Sequence, residues 1–125
     1  MLLNQITLKV TDLKKSIAFY KTLGLHLIVN SGNPYARFEC PGGATTLSLS
    51  ESETVTPGET GLYFEVENVT RTIAHLRAKG LPITQTPTEK SWRWEECWLT
   101  DPDGHRLCIY HAGVDRRFPP WRVNG

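Results

Sequence analysis

The residues best able to do chemistry in this chain are four histidines and three cysteines. No two of the histidines lie four residues apart, as a zinc-binding HExxH motif on a helix would require. The cysteines are odd in number and widely separated, which argues against both a disulfide framework and a CxxC zinc ribbon. We therefore expect free thiols in a reducing compartment. The residues concerned are His26, His75, His105, His111, Cys40, Cys97 and Cys108.

Motifs for nucleophilic catalysis and phosphate binding do not occur in the sequence. There is no GxSxG, P-loop or GxGxxG pattern, and no base can be assigned to Ser48 or Ser50. The formal net charge of +1 gives no field that would attract nucleic acid or a membrane surface. The start of the chain lacks a signal-peptide pattern, and no apolar run reaches the roughly 20 residues of a membrane span. We expect a cytoplasmic protein that binds neither nucleic acid nor membrane.

The chain contains one pattern twice. Residues 5–28 align with 61–84 without a gap at an offset of 56, and residues 45–50 align with 105–110 at an offset of 60. The length of 125 residues is that of one domain, so we expect a single domain made of two repeated modules. The expected bounds are 3–50 for module one, 51–60 for a polar linker, 61–110 for module two and 111–125 for an irregular tail.

Each module has the same predicted order of elements, β-α-β-β-β. An alternating strand leads to a helix cap, which is Thr11-Asp12 in module one and Asn68 or Thr70 in module two. A glycine ends each helix, Gly24 and then Gly80. His75 should be solvated or packed on the surface of the second helix. Three strand-like runs follow each helix, at about 25–30, 35–40 and 45–50, and at about 82–86, 94–100 and 105–110.

Two such units in tandem resemble the vicinal oxygen chelate superfamily, which contains glyoxalases, bleomycin-resistance proteins and extradiol dioxygenases. The resemblance covers residues 3–110. It rests on the element order, on Asp101-Pro102-Asp103-Gly104 before the last strand, and on Leu23-Gly24-Leu25 with Phe19-Tyr20 before it. It implies an α+β fold in which two βαβββ modules form a curled mixed sheet around a shared cleft, with the helices outside.

The resemblance also identifies where a metal would bind, because metal-dependent members use one side chain from the first and last strand of each module. The matching positions here are Gln5, Ser48, Gly61 and Cys108. Only Gln5 is of a ligand type used in the family, and Gly61 has no side chain. A single thiolate with one amide does not make a metal site, so we expect no metal and no other cofactor. An unusual combination of Gln5, Cys108 and nearby Glu96 stays open.

Strand parity indicates which side chains line the cleft. Where Ile6, Leu8 and Val10 pack under the helix, the intervening residues face the other way. The same logic applies to most of the other strands. For the third strand of module two, the resemblance implies the facing residues by counting back from the Asp101–Gly104 turn, and the internal repeat then gives Arg37 in module one. The predicted lining is aromatic and hydroxylic with a few charges, as is typical of small-molecule sites. It consists of Gln5, Thr7, Arg37, Ser48, Ser50, Tyr63, Glu65, Glu96, Trp98, Cys108 and Tyr110.

Three functions follow from the resemblance. The first is a metal-free protein that binds, and sequesters, an aromatic or amphipathic compound, as drug-binding bleomycin-resistance members do. The second is a metal-dependent lyase or isomerase, or an extradiol-type dioxygenase. The third is an enzyme without a metal that uses Glu96 or Glu65 as a general base. We expect the first, with a ligand stacked on Trp98 and oriented by Arg37 and Glu96.

A homodimer is the expected assembly. Family members with two modules in one chain commonly pair, and often build each cleft from both chains. The tail segment Phe118–Trp121 is apolar and rich in proline, and forms a large patch to leave exposed. The alternative is that this segment folds back on its own domain.

Overall fold

A computed structural model describes residues 1–123, which form two α-helices, eight β-strands and one short 3-10 helix. The strands make two four-stranded sheets of mixed parallel and antiparallel pairing. This confirms the predicted α+β class and the β-α-β-β-β order of each module. The chain divides into two compact units. Unit 1 is residues 1–58 with 101–105, and unit 2 is residues 59–100 with the chain from 106 onward.

Unit 1 contains the first sheet and helix. Strand β1 runs parallel to β4, and the remaining pairs are antiparallel, giving the order β1-β4-β3-β2. Side chains of alternate residues point to opposite faces of a strand, so the apolar set of β1 lies on the face that carries the helix. The elements are β1 Gln5–Val10, α1 Leu13–Leu23, β2 His26–Asn30, β3 Tyr35–Glu39 and β4 Thr46–Glu51.

Helix α1 begins and ends where the sequence predicts. The side chain of Asp12 accepts a hydrogen bond from the Lys15 amide at 3.1 Å, which satisfies one of the free amides of the first turn. Gly24 closes the helix at φ 114°, a conformation that disfavours residues with a Cβ. Leu13 and Tyr20 are buried on the inner side of the helix.

The Asp101–His105 turn is part of unit 1, although it lies in the second sequence module. Buried Asp101 accepts a hydrogen bond from the Tyr20 hydroxyl at 2.7 Å through one carboxylate oxygen. Its other oxygen accepts the amides of Asp103 and His105, both at 2.9 Å. Asp103 in turn accepts the hydroxyl of Thr11 at 2.6 Å. The turn motif therefore anchors helix α1 and the end of β1, as well as reversing the chain.

Unit 2 repeats the pattern, with the order β5-β8-β7-β6 and β5 parallel to β8. Asn68 caps α2 by accepting from the Arg71 amide at 2.9 Å, which decides between the two predicted caps. Gly80 follows the helix at φ 97°, and His75 is exposed as predicted. The elements are β5 Gly61–Glu65, α2 Val69–Ala78, β6 Thr88–Glu89, β7 Glu95–Thr100, β8 Arg106–His111 and a 3-10 helix at Gly113–Arg116.

The prediction of a strand at 82–86 is wrong, because the strand in this region is the two-residue β6 at Thr88–Glu89. Pro82 and Pro87 flank the segment and have no amide to donate to a sheet. The carbonyls of Ile83 and Gln85 instead accept from the guanidinium of Arg77, with Nε to Ile83 at 2.9 Å. Among residues 1–123, no helix is both long and apolar enough to cross a membrane.

Candidate functional site

The sheet of unit 1 carries five of the predicted lining residues. Thr7 of β1, Ser48 of β4 and Arg37 of β3 lie side by side across the sheet. Ser50 lies in the adjacent row, beside Lys9 and Tyr35, and Gln5 lies in the row on the other side, beside Thr46. Strand alternation places all of them on the face opposite the apolar residues of β1. The predicted polar face of the first module is Gln5, Thr7, Arg37, Ser48 and Ser50.

A hydrogen-bonded triad occupies the middle of this face. The hydroxyls of Tyr35 and Ser48 lie 2.6 Å apart, and Arg37 donates its Nε–H to the Tyr35 oxygen at 2.9 Å. The bond to Ser48, and secondarily the Arg37 guanidinium, lower the pKa of Tyr35 below its ordinary value. Ser48 itself is fully buried, so Arg37 and Tyr35 are the reachable members.

The sheet of unit 2 carries the other six predicted residues and is aromatic. Tyr63, Cys108 and Trp98 form one row across the sheet, and Glu65, Tyr110 and Glu96 form the next. Tyr63 packs edge-on against Trp98 with ring centroids 5.3 Å apart, and against Tyr110 at 5.4 Å. Tyr63 is 49% exposed, so this aromatic cluster has an accessible surface.

Trp94 also belongs to the aromatic cluster, with its ring 4.9 Å from that of Tyr110. It lies one residue before β7, in the position that strand parity gives for the same face. Buried Glu96 then fixes two indoles at once. One of its carboxylate oxygens accepts from Trp98 at 3.1 Å and the other from Trp92 at 2.8 Å. The sequence does not identify Trp92 as a site residue. It lies in a turn, where strand parity cannot indicate the side to which a side chain points.

Trp98 is held in place from several sides. Its indole N–H bonds Glu96, and the far edge of its six-membered ring lies over Gly61. A Cβ at position 61 would stand 2.7 Å from Cη2 of Trp98, closer than any real contact. The guanidinium of Arg106 lies over the ring, 4.3 Å from its centroid. Trp98 therefore fills the space that a side chain at position 61 would need.

Glu65, which was predicted to line the site, has structural partners. Its Oε2 accepts the amides of Ala112 and Gly113, both at 2.8 Å, where the short 3-10 helix begins. Arg116 lies at the edge of salt-bridge distance, with Nε 4.0 Å from Oε1. The carboxylate thus anchors the start of the C-terminal segment.

The four positions that match the metal ligands of the family offer a poor set of donors. Gln5 accepts a hydrogen bond from Thr46 at 3.0 Å, and Ser48 is engaged with Tyr35. Gly61 has no side chain that could bind a metal, and the Trp98 ring fills the space beside it. Burial, together with the nearby charge of Glu96, raises the pKa of the Cys108 thiol to about 12, so this sulfur stays protonated near neutral pH. Within residues 1–123, no group of three or more His, Cys, Asp or Glu side chains is arranged to hold a metal.

Comparison with known proteins defines the class. The chain belongs to the Glyoxalase/Bleomycin resistance protein/Dioxygenase superfamily, whose family model matches residues 2–109. This confirms the resemblance seen in the sequence. A relative is the uncharacterized protein YraH of Bacillus subtilis (strain 168), 34% identical over 127 aligned positions that cover 88% of this chain and 98% of YraH.

Solved structures show the same fold at lower identity. A bleomycin-binding protein complexed with bleomycin is 16% identical with a TM-score of 0.72, and the match covers 90% of this chain and 98% of that one. A lactoylglutathione lyase from Agrobacterium tumefaciens is 16% identical with a TM-score of 0.74, covering 89% and 93%. The shared fold thus occurs in both a binding protein and an enzyme.

Proposed function

We propose that this protein binds a small, partly aromatic organic molecule on the aromatic face of unit 2, and that sequestering such a compound is its function. The observation that carries the proposal is the cluster around Trp98, in which Glu96 and Gly61 fix the indole while Tyr63 stays half exposed. Fixed aromatic rings with few polar groups are typical of ligand sites, because they bind planar molecules at little entropic cost. The bleomycin-binding protein of the same fold supports a binding role.

The affinity expected of such a site is modest. Burying about 300 Å² of apolar surface yields roughly 7–8 kcal/mol at ~25 cal/mol per Å², before the costs of ordering the ligand. This corresponds to micromolar binding at best. Titration with cinnamamide, a neutral planar probe, followed through the indole N–H resonances, tests the proposal. Saturable shifts at the Trp98 indole support it, and no shift there overturns it.

On the polar face of unit 1, we propose that Arg37 contributes to binding anionic ligands. Its Nε–H is used by Tyr35, but its terminal nitrogens are the kind of donors that hold a carboxylate. The lowered pKa of Tyr35 supports a second candidate for this face, proton transfer with Tyr35 as acid or base. Replacing Tyr35 by Phe distinguishes the two roles, because it removes the proton but leaves the Arg37 charge.

We further propose that the metal site of the family is not retained. The support is the set of donors described above. Position 61 has no side chain, and the Trp98 ring occupies the space that a ligand there would need. Purified protein prepared without chelators should contain well under one equivalent of transition metal by elemental analysis. About one zinc, nickel, manganese or iron per chain, lost in Gln5→Ala or Cys108→Ala, would contradict this and favour the metal-dependent enzyme.

We infer that the protein is a homodimer in which the tail segment Phe118–Trp121 is covered. Phe118 and Trp121 are 52% and 56% exposed in the single chain, and Arg117 and Arg122 stack on the Phe118 ring. Light scattering at tens of micromolar should give about twice the chain mass of 14.1 kDa. Trp121→Ala should shift the equilibrium toward monomer, whereas Trp92→Phe should not. A wild-type monomer mass would refute the dimer.

A further inference from the structure

Arg106 occupies an unusual position on the aromatic face of unit 2. It pairs across the sheet with Gly61 on one side and Thr100 on the other, in the row next to Trp98. Its guanidinium lies over the indole of Trp98 at 4.3 Å. Stacking of this kind fixes the plane of the guanidinium while leaving its edge, where the N–H groups point, open to a partner.

Trp98 and Arg106 together line a pocket of about 260 Å³. It is lined by residues of the loop that precedes β6, by the end of β7 and by the first residue of β8. This volume suits a planar molecule of one or two rings rather than a large drug. The lining residues include Pro82, Thr84, Gln85, Trp98, Thr100 and Arg106.

Arg106 forms no salt bridge within the part of the chain that the structure describes. Besides lying over the Trp98 ring, it donates a long hydrogen bond from a terminal nitrogen to the Glu59 carbonyl at 3.3 Å. Within residues 1–123, two arginines of unit 2 lie at salt-bridge distance from a carboxylate: Arg93 from Asp115 at 3.1 Å and Arg116 from Glu65 at 4.0 Å, whereas Arg106 does not. No carboxylate of residues 1–123 lies within 4.0 Å of the Arg106 guanidinium nitrogens.

Glu96 lies on the same face of the sheet as Arg106, and no salt bridge among the described residues joins the two. It lies four residues before Thr100 on β7, which is about 13 Å along an extended strand. Both of its oxygens accept indole N–H groups, so its carboxylate is directed toward Trp92 and Trp98. The indole of Trp98 runs from the row of Glu96 to the row of Arg106. The pocket therefore has its positive group at one end of a flat apolar surface.

We propose that this pocket binds a planar aromatic carboxylate, with the ring against Trp98 and the carboxylate on Arg106. The proposal rests on the proposed binding function and specifies its ligand class. A guanidinium holds a carboxylate through two parallel N–H bonds, and Thr84 and Thr100 line the same pocket. Arg106 is thus the residue that determines specificity, whereas Trp98 provides the apolar surface.

The test compares cinnamate with its neutral amide, cinnamamide, by chemical-shift titration. The wild type should bind cinnamate about tenfold more tightly than cinnamamide, as a charge-assisted hydrogen bond in a partly exposed site would give. Arg106→Gln should remove this preference, because it should weaken cinnamate binding by about tenfold more than it changes cinnamamide binding. Arg106→Lys should retain only part of the preference for cinnamate, since an ammonium group lacks the paired N–H groups with which a guanidinium holds a carboxylate. Arg71→Gln, the same loss of charge on α2, is the matched control and should behave as wild type.

The outcomes separate the two proposals. Equal binding of both probes by the wild type, with shifts at Trp98, overturns the carboxylate inference and leaves the aromatic site intact. Loss of the preference in Arg71→Gln as well would show that only net charge matters, which also overturns it. Absence of binding by either probe overturns the proposed function and the inference together. Raising the KCl concentration should weaken cinnamate binding but not cinnamamide binding, because salt screens an exposed charge.

Discussion

Replacing Trp98 by Ala should weaken binding of cinnamamide by roughly thirtyfold or more. One face or edge of the indole in contact with a ligand removes about 80–100 Å² of apolar surface from water, which is worth ~2–2.5 kcal/mol at ~25 cal/mol per Å². The substitution also removes one aromatic partner of Tyr63 and frees one oxygen of Glu96, so the remaining rings are held less firmly. Calorimetry measures this without relying on tryptophan emission.

The control for this substitution is Ile28→Ala, which removes an exposed apolar side chain from β2 of unit 1 and should leave cinnamamide affinity unchanged. Gly61→Ala offers a subtler test. Its new Cβ would meet the Trp98 ring at 2.7 Å and must displace it, so binding should fall by an intermediate amount although no aromatic group is lost. If Trp98→Ala binds as tightly as the wild type, the aromatic cluster is only core and the site lies elsewhere.

Much of this fold could be predicted from the sequence because the signals are local. The alternation in β1, the Asp12 cap and Gly24 each act through neighbouring residues, and the internal repeat then supplies the second module. The exception at 82–86 shows the limit of local reasoning. Apolar Ile83 resembles a strand residue, but its carbonyl is satisfied by the side chain of Arg77, a contact that no periodicity reveals.

The sequence predicts which face of the sheet the site residues lie on, but not the contacts that these residues make with one another. Strand parity places Trp98, Tyr63 and Glu96 on one face, because alternation is a property of any strand. It says nothing of how these side chains bond to one another. Arg106 has the same parity as Cys108, yet the predicted lining does not include it. Its stacking on Trp98 depends on Gly61, which lies far away in sequence.

Loss of the Asp101 carboxylate should be the most destabilising single change to a polar side chain in this protein. Asp101→Ala removes three hydrogen bonds to a buried carboxylate and leaves the Tyr20 hydroxyl without a partner. A buried network broken in this way costs about 3–5 kcal/mol of unfolding free energy. Urea denaturation should show this loss, whereas Glu53→Ala, the same loss of charge at an exposed position, should change the unfolding free energy by less than about 0.5 kcal/mol.

Two further variants show whether the Tyr20–Asp101 bond itself carries this stability. Asp101→Asn keeps an oxygen for the two turn amides and presents an amide to Tyr20, so it should cost less than Asp101→Ala. Tyr20→Phe removes only the hydroxyl and should cost about 1.5–3 kcal/mol, as expected for a hydrogen bond to a charged acceptor. A double-mutant cycle of Tyr20→Phe with Asp101→Ala that shows simple additivity would contradict the coupling.

The same bond predicts how stability depends on pH. Burial first, and then the hydrogen bond to Asp101, raise the pKa of Tyr20 far above the ordinary value of about 10. Above that ordinary value the unfolded chain releases the phenolic proton while the folded chain keeps it, so stability is fully present below pH ~10 and falls as pH rises beyond it. The raised pKa of Cys108 acts in the same direction. The free energy of unfolding should therefore decline in alkali. In Tyr20→Phe the slope of this decline against pH should be smaller, by an amount that corresponds to at most one proton, because Phe has no proton to release. An unchanged alkaline slope in Tyr20→Phe would show that the hydroxyl is not held in this buried network.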